Sequence, residues 1–241
     1  MKRAVIFDLD GTLADTLESL AYCTNRALAD FGYPPIEAER FRNFVGNGAR
    51  MQIVRALRFL GVAEETPGAR YGLEEKAPGA ADEDGFFTVP KGLDEVLERY
   101  LRYFSGDCLY GVKPYAGIPE LLSALKEREI RLAVLSNKPD AQTAEVVEGL
   151  FGPSCFDLVL GQSPCRKKKP APDGVVEIGR AFGAAPEELL YAGDSGVDMD
   201  TAKAAKVTAV GVCWGFRTAR ELREHGADVL IERPEELLQC L

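Results

Sequence analysis

Asp8 and Asp10 are the residues whose type and spacing most directly imply chemistry. They follow the apolar run Ala4-Val5-Ile6-Phe7 and precede Gly11-Thr12. Four consecutive apolar residues read as a strand buried on both faces of a parallel sheet. Side chains two residues apart on an extended backbone leave on the same side. Gly11 then lets the chain turn sharply. Like charges held this close repel and shift each other's pKa, an arrangement suited to holding a cation or moving a proton. Ligands of open α/β sheets bind at the carboxyl ends of the strands, where this pair falls. The ordinary alternative is a strand end with two solvated aspartates.

Three further segments carry polar residues after apolar runs. Ile130–Leu135 ends in Ser136-Asn137-Lys138, where a hydroxyl and backbone N–H groups suit a phosphate oxygen but equally suit a helix cap. Lys167-Lys168-Lys169 precedes Pro170-Ala171-Pro172-Asp173. A lysine run is usually a solvated face, but the prolines fix the backbone just after Lys169 and can aim its ammonium, a compact phosphate-binding charge, inward. Gly193-Asp194-Ser195-Gly196-Val197-Asp198 follows a fourth apolar run. Asp194 falls at the strand tip and Asp198 in the first helical turn, where dipole and capping favour it anyway. Together these ends assemble carboxylates, a hydroxyl and a lysine, the set that magnesium-assisted phosphoryl transfer through an aspartyl phosphate requires.

The elements that must position these groups follow from periodicity. Strands are expected at 3–8, 130–135, 156–160, 189–192, 207–212 and 229–231, and helices near 118–125, 140–150, 173–183, 198–205 and 217–224, with a final helix at the end. That alternation implies a doubly wound, Rossmann-like parallel sheet of α/β class, with right-handed crossovers. Residues 15–110 carry helical spacing (Leu17 to Phe31, Ile53 to Leu60, Leu93 to Phe104) and no strand signal. They interrupt the core, 1–14 and 111–241, as a helical cap domain inserted after the first strand. The Gly-, Ala- and acid-rich stretch 62–90 reads as an irregular loop.

Composition narrows the function. The 241 residues carry a net charge of −9, which argues against nucleic-acid and anionic-membrane partners. Six scattered cysteines form no C-x-x-C pair and imply neither a disulfide framework nor a zinc site, with Cys23 and Cys213 reading as buried thiols. The single histidine, His225, looks like an exposed helix end, so histidine catalysis is not expected. The chain enters its first strand without a leader pattern and contains no apolar run of about 18 residues; the expectation is a soluble, cytoplasmic protein.

Asp8-x-Asp10-Gly11-Thr12, Ser136, Lys169-Pro170 and Gly193-Asp194-x-x-x-Asp198 resemble, in order and spacing, the four motifs of the haloacid dehalogenase superfamily. Phe44-Val45-Gly46-Asn47-Gly48-Ala49-Arg50-Met51 and Gly211-Val212-Cys213-Trp214-Gly215-Phe216 are similar to the phosphoglycolate phosphatases within it. The resemblance implies an Mg²⁺-dependent phosphatase of a small phosphorylated metabolite, most simply 2-phosphoglycolate. Asp8 would be the nucleophile, and Asp10 the acid and then the base. Asp8, the Asp10 carbonyl and Asp194 would hold Mg²⁺, with Asp198 supporting the ion directly or through water. Ser136 and Lys169 would hold the phosphoryl oxygens, with Thr12 and Asn137 beside them. In the insert, Asn47 and Arg50 are candidates for the rest of the substrate, Arg50 pairing with a carboxylate; the ordinary reading is a loop with an exposed arginine. A sugar phosphomutase of the same superfamily is the alternative enzyme, although Thr12 fits the phosphatases better. A receiver-type phosphoacceptor domain uses similar groups but lacks a helical insert after its first strand.

Overall fold

The computed structural model describes residues 2–65 and 89–241. The first strand, β1 (Ala4–Phe7), is buried along its whole length, as its unbroken apolar run demands. The chain then leaves through β2 (Ala14–Asp15), α1 (Leu17–Asp30), a 3₁₀ turn at Ala38–Asn43, α2 (Ala49–Phe59), β3 (Glu64–Glu65), β4 (Val89–Pro90) and α3 (Leu93–Asp107). It returns through β5 (Lys113–Pro114) and continues as α4 (Ile118–Glu127), β6 (Arg131–Pro139), α5 (Asp140–Phe151), β7 (Leu158–Gln162) and α6 (Asp173–Phe182). The last elements are β8 (Leu189–Gly193), α7 (Gly196–Ala205), β9 (Thr208–Val212), α8 (Ala219–Glu224) and β10 (Val229–Ile231).

Six strands form one sheet in the order β10-β9-β8-β1-β6-β7, and each pairing is parallel. β1 lies between β6, reached after the insert, and β8, reached after β7. The strand order therefore reverses around β1, and the crevice at its carboxyl end is the switch point at which such sheets bind ligands. The period of two sorts the strand side chains cleanly. Ala4, Ile6, Ala133, Leu135, Leu189 and Tyr191 pack on one face with Val175 and Ile178 of α6 and Met199 and Ala202 of α7. Val5, Phe7, Leu132, Val134, Leu190 and Ala192 pack on the other with α4, and that apolar cluster runs on into α1, α2 and α3.

Several expectations are corrected. Residues 15–110 are not purely helical: β2 pairs antiparallel with β5, and β3 with β4. Pairs of two residues carry no readable period. The final helix, Pro234–Cys240, is a 3₁₀ helix rather than an α-helix. Cys213 is partly exposed, whereas Cys23 is buried. The loop expected at 62–90 lies largely outside the described residues. Among the described residues no helix is long and apolar enough to cross a membrane.

Candidate active site

The carboxyl ends of β1, β6 and β8 converge on one acidic centre. Asp8 follows β1 directly, and its backbone N–H donates to Ala192 O of β8 at 2.9 Å. Asp194 follows β8, and Asp198 lies in the first turn of α7. One carboxylate oxygen from each of Asp8, Asp194 and Asp198 lies within 4.8 Å of the others, and all three residues are buried. Asp198 is held at both oxygens. Its Oδ2 accepts from the Ser195 N–H at 3.0 Å and the Ser195 hydroxyl at 2.6 Å, closing the first turn of α7. Its Oδ1 accepts from the Lys169 ammonium at 2.6 Å and lies 3.2 Å from the Tyr191 hydroxyl. Asp194 Oδ2 accepts from the Phe216 N–H at 2.7 Å, and Thr12, wholly buried, donates to Asp194 Oδ1 at 3.4 Å.

This crowding needs backbone without side chains nearby. A Cβ on Gly11 would fall 2.3 Å from Asp194 Oδ2, and Gly11 has φ +90°. A Cβ on Gly215 would fall 2.3 Å from Asp194 Cβ.

Lys169 stands 2.8 Å from Asp8 Oδ1 and bridges it to Asp198. Burial works against its charge, but Asp198 and Asp8 outweigh it and hold the ammonium well above the usual lysine range. One cation does not balance three carboxylates. Burial, then Asp198, pushes Asp8 well above the usual carboxylate range, with Lys169 only partly opposing. Burial and Asp198 likewise push Asp194 up to about 7. A cluster of desolvated, all-oxygen ligands with surplus negative charge fits a hard divalent cation such as Mg²⁺.

The cavity beside this centre is lined by Asp8, Asp10, Ser136, Asn137, Lys138 and Lys169 from the sheet edge, and by residues of α1, α2 and α3 opposite. Asn137 organises its surroundings. Its amide donates to Lys169 O and to Gly46 O, each at 3.1 Å, and accepts from the Lys169 N–H at 2.8 Å. Both amide hydrogens are thus engaged by protein carbonyls. The Ser136 hydroxyl accepts from the Lys138 N–H at 3.2 Å and faces the cavity. The Lys169–Pro170 peptide is cis.

The Asp10 side chain, expected as acid and base rather than as a metal ligand, lines the cavity outside the carboxylate cluster and pairs with Lys138 at 2.5 Å. Three candidates stand differently from expectation. Thr12 meets Asp194 rather than the cavity. Arg50 turns to Asp94 of α3 at 3.0 Å, and Asn47 Oδ1 accepts from Arg55 at 2.7 Å; neither lines the cavity. Residues near the start of α2 have alternatives in the insert itself, and these contacts set the side-chain directions. Sequence reasoning missed Lys138, buried on the cavity wall, along with Gln52 and Tyr100 opposite it. It also missed Arg217, which donates to Val45 O at 2.9 Å and to Arg42 O, while Arg42 donates back to Gly215 O at 3.2 Å. The position of Lys138 directly after Ser136-Asn137 was the available signal.

Known proteins share this plan. The model of the haloacid dehalogenase-like hydrolases matches residues 5–212. A phosphoglycolate phosphatase of Rhodospirillum rubrum is 34% identical over 216 residues, covering 90% of this chain and 81% of that one. The phosphoglycolate phosphatase of Escherichia coli K12 is 29% identical, covering 99% of this chain and 92% of its own. A crystallised phosphoglycolate phosphatase candidate from Lactobacillus delbrueckii subsp. bulgaricus superposes with a TM-score of 0.84 at 32% identity, covering 100% and 98%. The chain belongs to the haloacid dehalogenase-like hydrolase family, among its phosphatases, and is a phosphoric monoester hydrolase.

Proposed function

We propose that this enzyme is an Mg²⁺-dependent phosphatase that cleaves 2-phosphoglycolate, a small phosphorylated metabolite, through a phosphoryl group carried transiently on Asp8. The observation that carries the reading is the buried cluster of Asp8, Asp194 and Asp198 with Lys169 bridging two of its members. The likeness to phosphoglycolate phosphatases supports the choice of substrate. Residues 15–110 act as the cap, placing Leu20, Gln52, Tyr100 and Phe104 over the cavity.

An Asp8 oxygen attacks phosphorus, and the bond from phosphorus to the substrate's bridging oxygen breaks. Asp10 gives that oxygen its proton, so the product leaves as an alcohol. Asp10, now a carboxylate, takes a proton from water, whose oxygen attacks the phosphoryl group and releases inorganic phosphate from Asp8. Ser136 and Lys169 hold the phosphoryl oxygens, and Asn137 fixes Lys169 through its backbone. Asp8 and Asp194, with Asp198 behind them, would hold the cation. When bound, the divalent ion supplies positive charge that offsets repulsion between an anionic nucleophile and an anionic ester. The apolar wall excludes water and strengthens each of these contacts.

Acid quenching during turnover, followed by borohydride reduction, tests the covalent step. A homoserine in the peptide spanning position 8, together with inorganic phosphate as product, is expected. An unmodified peptide under steady turnover would remove Asp8 as nucleophile, and an isomerised phosphate ester as product would make the enzyme a mutase.

A further inference from the structure

Two cations line the cavity among the described residues, Lys169 and Lys138. Lys169 is committed to Asp8 and Asp198 at the phosphoryl end. Lys138 pairs instead with Asp10. Its side chain is 2% exposed, its ammonium is 2.5 Å from Asp10 Oδ1, and it stands over the Phe104 ring at 5.1 Å from the centroid. Burying an ammonium is costly unless it is paired, and Asp10 supplies that partner while the ammonium stays on the cavity wall.

We infer that Lys138 is the specificity-determining residue for the leaving group: its ammonium receives an anionic substituent, a carboxylate in the simplest case, on the alcohol that departs. The inference rests on the phosphatase reading above and on Asp10 meeting the bridging oxygen. A proton donor must come within about 2.6–3.2 Å of the atom it protonates. The bridging oxygen is then a neighbour of Asp10, and Asp10 is a neighbour of Lys138. A carboxylate one carbon beyond that oxygen falls within reach of the ammonium.

An ammonium has three donors. Lys169 illustrates the result nearby, one ammonium serving two carboxylates. Lys138 meets one carboxylate, that of Asp10, and an aromatic face, which leaves it able to serve a second. Among the described residues the wall offers no cation besides these two lysines. Leu20, Val45, Tyr100 and Phe104 are apolar or aromatic, and Gln52 is neutral with its amide donating to Thr24 at 2.8 Å. Arg50, the cation first expected in this role, faces Asp94. The segment 137–139 also places Lys138 without a flexible loop, because β6 runs on to Pro139 and pairs there with Gln162 of β7.

The test compares two esters of nearly the same shape, 2-phosphoglycolate and 2-hydroxyethyl phosphate, which has a neutral hydroxyl where the first has a carboxylate. The wild-type enzyme should favour the anionic ester in kcat/KM. In Lys138→Met, which keeps length and apolar stem, the ratio of the two kcat/KM values should fall about 10- to 150-fold, the loss of one charge-assisted contact. Lys138→Arg should recover part of the ratio. An unchanged ratio in Lys138→Met, both esters losing equally, would mean that Lys138 acts only through Asp10 and would overturn the inference. So would a wild-type enzyme indifferent to the carboxylate, a result that needs no variant and leaves the phosphatase reading standing. Failure of the wild type to release phosphate from either ester in Mg²⁺ would reject that reading itself, and the inference with it.

Discussion

The side-chain amide of Asn137 and the backbone of Lys169 exchange two hydrogen bonds, at 3.1 and 2.8 Å, much as neighbouring strands do. The amide's other hydrogen reaches Gly46 O. One buried side chain therefore ties the end of β6 to the lysine loop and to the start of the insert's second helix.

Asn137→Ala would leave two carbonyls and one N–H without these partners. At about 1 kcal/mol per bond, stability should fall by about 2–4 kcal/mol in urea unfolding. Activity should fall more than the lost folded fraction explains, because the Lys169 backbone loses its anchor. A variant as active and as stable as wild type would show the exchange to be incidental.

Asp8→Asn should abolish turnover while strengthening the metal-free fold. Burial and the nearby Asp198 and Asp194 charges oppose ionised Asp8. Its folded pKa lies above the unfolded value, so its stabilising contribution is present at low pH and lost as pH rises through the folded value. At pH 8 in chelator the amide should raise the melting temperature by about 2–4 °C, as about 1 kcal/mol does in a chain of this size. A lower melting temperature would mean that the contact with Lys169 outweighs the repulsion.

Asp194, pushed up to about 7 from 3.8, gives a pH window for the metal. Without metal, the stability that this group contributes is present below about pH 4 and is lost as pH climbs through 7. Mg²⁺ competes with that proton, so it should stabilise strongly at pH 8 and weakly at pH 5.5. Scanning calorimetry with Mg²⁺ or chelator at both pH values checks this, with Asp194→Asn as the control lacking the group. An equal Mg²⁺ effect at the two pH values would contradict it.

Gly11→Ala places a methyl group 2.3 Å from Asp194 Oδ2 on backbone at φ +90°. The conformation alone costs about 1–3 kcal/mol for a residue with a side chain, and Asp194 must move as well. The expected result is a loss of at least about 2 kcal/mol, with Mg²⁺ affinity weakened in isothermal titration. Wild-type affinity would show that Asp194 is not a ligand.

Arg50→Ala should leave the preference for 2-phosphoglycolate over 2-hydroxyethyl phosphate within about twofold. It breaks a partly exposed pair with Asp94, worth about 0–1 kcal/mol. A selective loss on the carboxylate ester would return Arg50 to the substrate.

Much of this was legible from residue order. Apolar runs ending in polar residues located β1, β6 and β8, and with them Asp8, Ser136 and Asp194, because a buried parallel strand has a simple signature and its carboxyl end a fixed place in the fold. The direction of the Lys138 side chain was not legible, although its place directly after Ser136-Asn137 was. The pairing of β6 with β7 shifts register between Leu135 and Pro139, and period-two reasoning fails across such an irregularity. The directions of Arg50 and Asn47 were equally hidden, since their partners Asp94 and Arg55 are matters of packing within the insert. Asp198 was visible twice over, as a helix-start residue and as an acid near Asp194; the structure uses it both ways.

Ala14 and Pro114 are register partners. The excursion between them therefore departs from and returns to one place, like a bight in a rope whose two legs are seized together. Lengthening or shortening the bight changes the entropy of closing it only logarithmically, and it leaves the spacing of β1 between β6 and β8 untouched. Insertions and deletions can accumulate there and reshape what reaches the cavity, while the carboxylates at the sheet edge keep their mutual distances.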